Sequence, residues 1–244
     1  MAITRENKTV IPLDIATECS KQMNFLMKRK PLKMQNDLNL SLVSNTVFPE
    51  VSENQSDLII PQQNLLGSVE TRNIIDHYHY WKHDAILADL DSKRHNFTVV
   101  CCNLGNDFNI ATVIRNSNAF LAKEVWIYGH KQWDRRGAVG THNYSRIKHF
   151  KTLEELHAAM DDVVDSVTVA VDNIPLAVPV DQFEWNKDKH YFIIMGQEQL
   201  GIPQEVLDIS QHCVYIRQYG SVRSLNVGTA SGIVMQDFCT KINI

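Results

Sequence analysis

At 244 residues, 44% of them apolar and 21% charged, the chain is long enough for one α/β domain with an extension and has the composition of a globular protein. A formal net charge of −4 excludes a protein coated in basic surface, so any nucleic-acid contact has to come from a local patch. No stretch approaches the roughly 18 apolar residues of a membrane span, and residues 1–8 carry no apolar signal-peptide region.

In chain order, the first 66 residues contain no glycine. Lys21, Lys28, Arg29, Lys30 and Lys33 form a basic stretch around Met23, Phe25, Leu26 and Met27, after which residues 34–71 hold no Lys or Arg. Residues 1–70 therefore read as an extension of marginal structure, a short amphipathic helix followed by a polar linker. Its basic stretch either touches nucleic-acid phosphates or is a solvated charged segment. Cys19 falls here; with Cys101, Cys102, Cys213 and Cys239 it makes five cysteines without a CxxC spacing. That pattern argues against a disulfide framework or a zinc site and for reduced thiols in a cytoplasmic protein without metal.

Residues 71–95 are expected to form a leading helix, because Ile74, Ile75, Tyr78, Trp81, Ala85 and Leu90 recur at helical spacing over 72–91. Residues 96–244 then alternate short apolar strands with helices. Strands are expected at 97–102, 125–128, 167–171, 191–195 and 214–216. Helices are expected at 110–120 and 153–163, briefly after Pro203, and from about Leu225 to Lys241, the last with Leu225, Ala230, Ile233, Val234 and Phe238 on its buried side. This is the pattern of a mostly parallel sheet with helices on both faces. Ligands of such sheets bind beyond the carboxyl ends of the strands.

Three polar segments stand at those ends. After Cys102 come Asn109, placed to cap a helix, and Arg115, six residues on in an otherwise apolar helix. After Met195 come Gly196, Glu198, Gly201 and Pro203, where the glycines permit tight backbone geometry near a ligand. After Ile216 come Gly220, Arg223 and the run Ser224-Leu225-Asn226-Val227 that opens the final helix. Each segment alone has a bland account as a cap, as a structural ion pair at Arg115, or as an exposed loop. Together, in register with three strand ends, they carry more weight.

These segments resemble the three signature motifs of the SPOUT superfamily, in its TrmH-like (SpoU) branch of RNA 2′-O-ribose methyltransferases. Asn109 with Arg115 matches the first motif, Gly196-x-Glu198 with Gly201 the second, and Ile216, Gly220 and Ser224-Leu225-Asn226-Val227 the third. The resemblance covers about residues 97–241. Gly105-Asn-Asp-Phe108 replaces a commoner Pro-containing loop, and Gly228 stands where Ser or another small residue is frequent. The extension does not resemble the family's usual N-terminal RNA-binding domain.

The resemblance implies a C-terminal trefoil knot, S-adenosyl-L-methionine as cofactor, and methyl transfer to a ribose 2′-hydroxyl of tRNA or rRNA by a homodimer. It assigns cofactor contacts to Gly196, Gly201, Ile216, Gly220 and Leu225, and catalytic roles to Arg115, Asn109, Glu198, Ser224 and Asn226. A guanidinium is too weak an acid to serve as a base near neutrality. Arg115 is better read as stabilising the developing oxyanion and gripping a phosphate, while the others orient it.

A local basic patch is legible without the family, either facing RNA or forming a plain solvated surface. Between Lys123 and Lys151 seven basic residues face two acidic ones, a local +5. Within it Lys131, Arg135 and Arg136 flank Trp133, with Tyr128 as a second stacking face; Arg223 adds to the surface from the third motif. The alternatives are a non-catalytic RNA-binding protein on the same fold, a base methyltransferase of the superfamily, or a nucleotide-dependent enzyme of another class. The last has no GxGxxG or P-loop to support it. Through the resemblance alone, the final helix, ending Gln236-Asp-Phe238-Cys239, is the expected contribution to a dimer interface.

Overall fold

The computed structural model describes residues 72–105, 109–198 and 200–242. The proposed extension over 1–70, with its basic stretch and Cys19, lies outside the described residues. Seven strands form one sheet: β1 (His95–Asn103), β2 (Ala122–Gly129), β3 (Ile147–Phe150), β4 (Ser166–Val171), β5 (Val178–Pro179), β6 (His190–Met195) and β7 (His212–Tyr215). Their spatial order is β3-β2-β1-β6-β4-β7-β5, and every pair is parallel. The helices are α1 (His83–Lys93), α2 (Ile110–Ala119), α3 (Leu153–Asp161), α4 (Gln204–Asp208) and α5 (Val227–Lys241).

Alternation along the strands sends apolar side chains to both faces, which is why the strands read as unbroken apolar runs. In β1, Phe97, Val99 and Cys101 join the core beneath α2 and α5, with Ile114, Val234 and Phe238. Val100 and Cys102 join the opposite core, with Leu156 of α3 and Val206 of α4. The adjacent thiols thus face opposite layers, and burial pushes that of Cys102 up to about 12. Cys102, Cys213 and Cys239 are free thiols.

Helix starts follow local chemistry. Thr152 and Glu155 form a reciprocal capping box at α3, and the Asn226 side chain accepts the Thr229 N–H at the start of α5.

Three sequence expectations are corrected. The continuous helix over 72–91 is broken: a 3₁₀ turn at Asp76–Tyr78 is followed by extended backbone at Lys82 before α1 begins. The Arg72 guanidinium donates to the carbonyls of His79 (2.7 Å) and Trp81 (3.0 Å), two acceptors that a continuous helix would use internally. The helical spacing was nonetheless real as a packing signal, since Tyr78, Ile86 and Tyr144 form a small core with Ile74, Trp81 and Leu90. Ile75, expected on the buried side, is 65% exposed. In α5, Ile233 faces outward while Val234 and Phe238 are fully buried. Finally, β3 and β5 were not anticipated. They are the two edge strands, only four and two residues long, and Ile147-Lys-His-Phe150 has no apolar run to announce it.

Candidate functional site

A cleft of about 220 Å³ opens at the carboxyl ends of β6, β4 and β7, which are neighbours in the sheet. Its walls are Val171, Asp172 and Asn173 after β4, Gly196, Gln197, Glu198 and Gly201 after β6, and Ile216 and Gln218 after β7. Ser224, Leu225, Val227 and Ala230 close it from the start of α5.

Four of the five residues expected to hold a cofactor, Gly196, Gly201, Ile216 and Leu225, line this cleft; Gly220 does not, and a side chain there would meet nothing within 4 Å. The two lining glycines make the wall possible. Gln197 and Gly201 exchange backbone hydrogen bonds of 2.9 and 3.0 Å, closing a tight turn. Gly201 has φ +67°, and a Cβ on Gly196 would lie 2.5 Å from the Gly201 carbonyl carbon. The Asp172 carboxylate supports the turn from outside by accepting the Ile202 N–H at 3.2 Å.

The three polar segments converge on Asn109. Its amide donates to the Glu198 carboxylate at 2.7 Å, and its carbonyl oxygen accepts from the Asn226 amide at 2.8 Å. One side chain from each motif is therefore joined in a single chain of hydrogen bonds. Asn109 was expected to cap α2 but makes no side-chain cap bond; its amide is committed to this network. Asn226 does both tasks, capping α5 with its oxygen and bridging with its nitrogen. Ser224 is exposed at the cleft.

Arg115 lies on α2 with its side chain exposed, and among the described residues it makes no ion pair or hydrogen bond. The structural ion pair that would have been its bland explanation is absent there. An exposed guanidinium, held by a helix that starts in the network, is available to a ligand arriving from outside.

The +5 count between Lys123 and Lys151 merges two ends of the same strands. Lys123, Arg146 and Lys148 sit toward the amino ends of β2 and β3; Lys131, Arg135, Arg136 and Lys151 follow the carboxyl ends. Arg146 pairs with Asp91 and Lys148 with Glu124. At the carboxyl end, Arg136 is bound to Asp134, whose carboxyl it holds down at about 2. Lys131 and Arg135 remain exposed there, and so does Arg223 across the cleft. The expected stacking faces are largely used. Tyr128 is buried, and Trp133 is half-buried against the core with His142 edge-on and Arg135 above it. The aromatic ring that stands free beside the cleft is Tyr219, 92% exposed.

Sequence reasoning missed Asp172, Asn173, Gln197 and Gln218. The strand-end rule that selected the three motifs also applied to Val171, so Asp172-Asn173 was within its reach. Gln197 and Gln218 gave no signal, because polar loop residues do not reveal which way they point. Both are turned inward: Gln197 Nε2 and Gln218 Oε1 are sealed from solvent without a partner among the described residues. In α5, Phe238 and Cys239 face this chain's own core, and Asp237 accepts from Trp185, so the outward residues are Thr229, Ile233, Gln236 and Thr240. No helix among the described residues is long and apolar enough to cross a membrane, and no group of His, Cys, Asp or Glu there is arranged to hold a metal.

Comparison with known proteins bears on this arrangement. The sequence profile described as the SpoU rRNA Methylase family matches residues 96–236. A tRNA (guanosine(18)-2′-O)-methyltransferase of Escherichia coli (strain K12) is 26% identical over 159 residues, covering 63% of this chain and 67% of the relative. The TrmH/SpoU tRNA modifying enzyme of A. aeolicus superposes with a TM-score of 0.57 at 19% identity, covering 66% of this chain and 84% of that one. The SpoU methyltransferase AviRb from Streptomyces viridochromogenes, solved in complex with AdoMet, gives 0.55 at 19% identity, covering 62% and 59%.

Proposed function

Because the chain belongs to the SpoU rRNA methylase family, we propose that it uses S-adenosyl-L-methionine to methylate a ribose 2′-hydroxyl of an RNA, with tRNA the first substrate to test. The single observation that carries this reading is the Asn109 bridge, which ties Glu198 and Asn226 together beside the cleft. The choice of tRNA follows the E. coli relative, whose name specifies guanosine 18 of tRNA.

The cleft suits the cofactor. Its walls alternate apolar surface (Ile216, Leu225, Val227) with a buried donor, Gln197 Nε2, and a buried acceptor, Gln218 Oε1, each awaiting a partner. When bound there, S-adenosyl-L-methionine supplies an electrophilic methyl group on a sulfonium sulfur. Gly196, Gly201, Ile216 and Leu225 are the proposed cofactor contacts; Gly220 stands outside the cleft lining.

The protein's own work is alignment and charge. Transfer is an in-line displacement at carbon, so positioning of the attacking oxygen sets much of the rate. Arg115 directs its guanidinium to the ribose 2′-oxygen and an adjoining phosphate, stabilising negative charge as the hydroxyl proton passes to solvent water and the methyl group leaves the cofactor's sulfur as S-adenosylhomocysteine. Asn109 holds Glu198 against the start of α2, and Asn226 holds Asn109 against the start of α5. Ser224 faces the incoming ribose. Lys131, Arg135 and Arg223 grip the RNA backbone, Arg136 holds Asp134 in the same loop, and Trp133 supports that loop by packing rather than by stacking on a base. We assign this step to the 96–244 domain, which follows the 71–95 segment and the extension over 1–70.

We further propose that the chain is knotted and dimeric. β7 enters the sheet between β4 and β5, after which α5 returns to pack on α2; this is the path a C-terminal trefoil knot would take. Dimerisation through the outward face of α5 would bring two clefts onto one RNA in the cytoplasm.

The test is methyl transfer from labelled S-adenosyl-L-methionine into unmodified tRNA and rRNA transcripts, followed by nucleoside analysis. A labelled 2′-O-methylnucleoside is expected. Label on a base would move the chemistry off the ribose, and RNA binding without any transfer would leave a binding protein on this fold.

A further inference from the structure

Val139, in the loop that follows β2, has left-handed backbone with φ +46° and ψ +44°. A β-branched residue there is an outlier, whereas Gly or Asn would occupy the same region with little strain. Among the described residues, Leu121, Val139 and Asp165 are the non-glycine residues with positive φ. Leu121 and Asp165 stand directly ahead of β2 and β4, in the turns that lead into them from α2 and α3. Their carbonyls serve those turns by accepting the N–H groups of His95 and His190. Val139 alone of the three is β-branched, and burial does not offset its strain, since the residue is 48% exposed.

The surrounding backbone holds Val139 in place. Ala138 is fully buried, its carbonyl accepts the Thr141 hydroxyl at 2.7 Å, and the Val139 N–H donates to the Arg136 carbonyl at 3.2 Å. The course of the loop then fixes what Val139 stands beside. Ala111, Arg115 and Asn118 share one stripe of α2, at i, i+4 and i+7. The loop meets both ends of that stripe. A Cβ on Gly137 would lie 3.0 Å from Ala111 Cβ, and the Asn118 amide reaches the Tyr144 carbonyl at 3.5 Å. The residues between Gly137 and Tyr144, Val139 among them, therefore pass the level of Arg115, which lies midway along the stripe and is exposed.

We propose that Val139 is a substrate contact: its two methyl groups pack on the nucleobase of the nucleotide whose 2′-oxygen Arg115 addresses, and the strained backbone is what presents them. This inference rests on the RNA substrate assigned under the proposed function. Methyl groups offer neither charge nor a hydrogen bond, so ribose hydroxyls and phosphate gain nothing from them, whereas every base has an apolar face. The base is joined to the carbon next to the one that bears the 2′-hydroxyl, so a group at the level of Arg115 lies within reach of it. Strain retained at an exposed side chain of this kind is a mark of function.

The experiment compares wild type with Val139→Gly, Val139→Asn and Val139→Ile as full chains. It reads Tm by circular dichroism, kcat/KM for methyl transfer into tRNA transcript, and S-adenosylhomocysteine affinity by isothermal titration. Gly and Asn accept left-handed backbone, so those two variants are expected to match or exceed the wild-type Tm, by up to about 4 °C. Both lose the methyl groups, so their kcat/KM is expected to fall by about 10-fold. Affinity for S-adenosylhomocysteine is expected to stay unchanged, because Val139 lies outside the cleft lining. Val139→Ile keeps the contact and should transfer within about 4-fold of wild type, the equivalent of one CH2 group. A lower Tm in both Val139→Gly and Val139→Asn would overturn the proposal, because the side chain would then be structural. So would wild-type kcat/KM in either variant. A shift toward monomer in sedimentation would also overturn it, by assigning Val139 to a contact between copies of this chain. Absence of both transfer and S-adenosylhomocysteine binding in wild type would instead sink the methyltransferase reading, and this inference with it.

Discussion

Replacing Gly228 with alanine tests how the two halves of the site are held together. Gly228 lies in the first turn of α5, directly after the Asn226 cap, and faces α2. A Cβ there would stand 2.6 Å from Thr112 Cγ2, 2.9 Å from Thr112 Cβ and 3.1 Å from Asn226 Oδ1. Thr112 is β-branched and its Cβ is fixed to the helix backbone, so it cannot swing away. Overpacking of this kind costs about 1–3 kcal/mol, offset in part by up to about 1 kcal/mol of helix propensity. The net expectation is a loss of about 1–2 kcal/mol, or about 3–6 °C in Tm for a domain of this size.

Because the displaced atoms include the Asn226 side chain, activity should fall along with stability. Gly232→Ala is the comparison: its Cβ would meet the Asn116 amide at 3.3 Å, a looser contact than that at Gly228, although this amide donates to Gly228 O and Ser231 Oγ. It should cost less than Gly228→Ala. Adding Thr112→Ser to Gly228→Ala removes the nearest atom and should recover about half of the lost Tm. Thermal denaturation followed by circular dichroism reads all four proteins. A Gly228→Ala variant as stable as wild type, or one indifferent to Thr112→Ser, would refute the close-packing argument.

Three further outcomes are expected. Asn109→Asp turns the donor facing Glu198 into a second carboxylate, and kcat/KM for methyl transfer should drop by about 5- to 150-fold, the equivalent of about 1–3 kcal/mol of lost positioning; a value within 2-fold of wild type would show the bridge to be incidental. Tyr219→Ala should raise KM for RNA by about 5-fold or more, from the roughly 1–3 kcal/mol of a stacked base, while S-adenosylhomocysteine affinity stays put; an unchanged KM would leave Tyr219 a bystander. His190 is buried with Nε2 against Thr98 Oγ1 at 3.0 Å, and burial lowers its pKa to about 4. The unfolded chain therefore takes up the proton first: the stabilisation is complete above pH ~6.5 and is lost progressively between there and about pH 4, amounting to at most about 3 kcal/mol. Urea unfolding at pH 7.5 and 5 should show the decline and His190→Gln should flatten it; parallel pH dependence in both proteins would contradict the assignment.

The sheet was legible because its central strands are buried on both faces, so Phe97–Cys102 and Tyr191–Met195 stand out as continuous apolar runs. Its edges were not: β3 and β5 are short, half-exposed and held by register with a neighbour rather than by their own sequence. The break ahead of α1 depends on Arg72 reaching carbonyls seven and nine residues away, a contact that no local propensity encodes. At the site, the motifs disclosed which residues matter but not how they are wired. Asn109 looked like a cap and became a bridge between residues 89 and 117 positions away. The basic patch failed as a count because charges adjacent in sequence were divided between opposite strand ends and then paired with Asp91, Glu124 and Asp134.

The most direct test of the account compares wild type with Arg115→Ala in methyl transfer from labelled S-adenosyl-L-methionine into tRNA, with S-adenosylhomocysteine binding measured in parallel. An exposed arginine reserved for the ribose predicts that the variant binds S-adenosylhomocysteine as wild type does yet forms labelled 2′-O-methylnucleoside at least about 100-fold more slowly. Transfer at the wild-type rate by Arg115→Ala would contradict the central claim, because the chemistry would then belong to some other group.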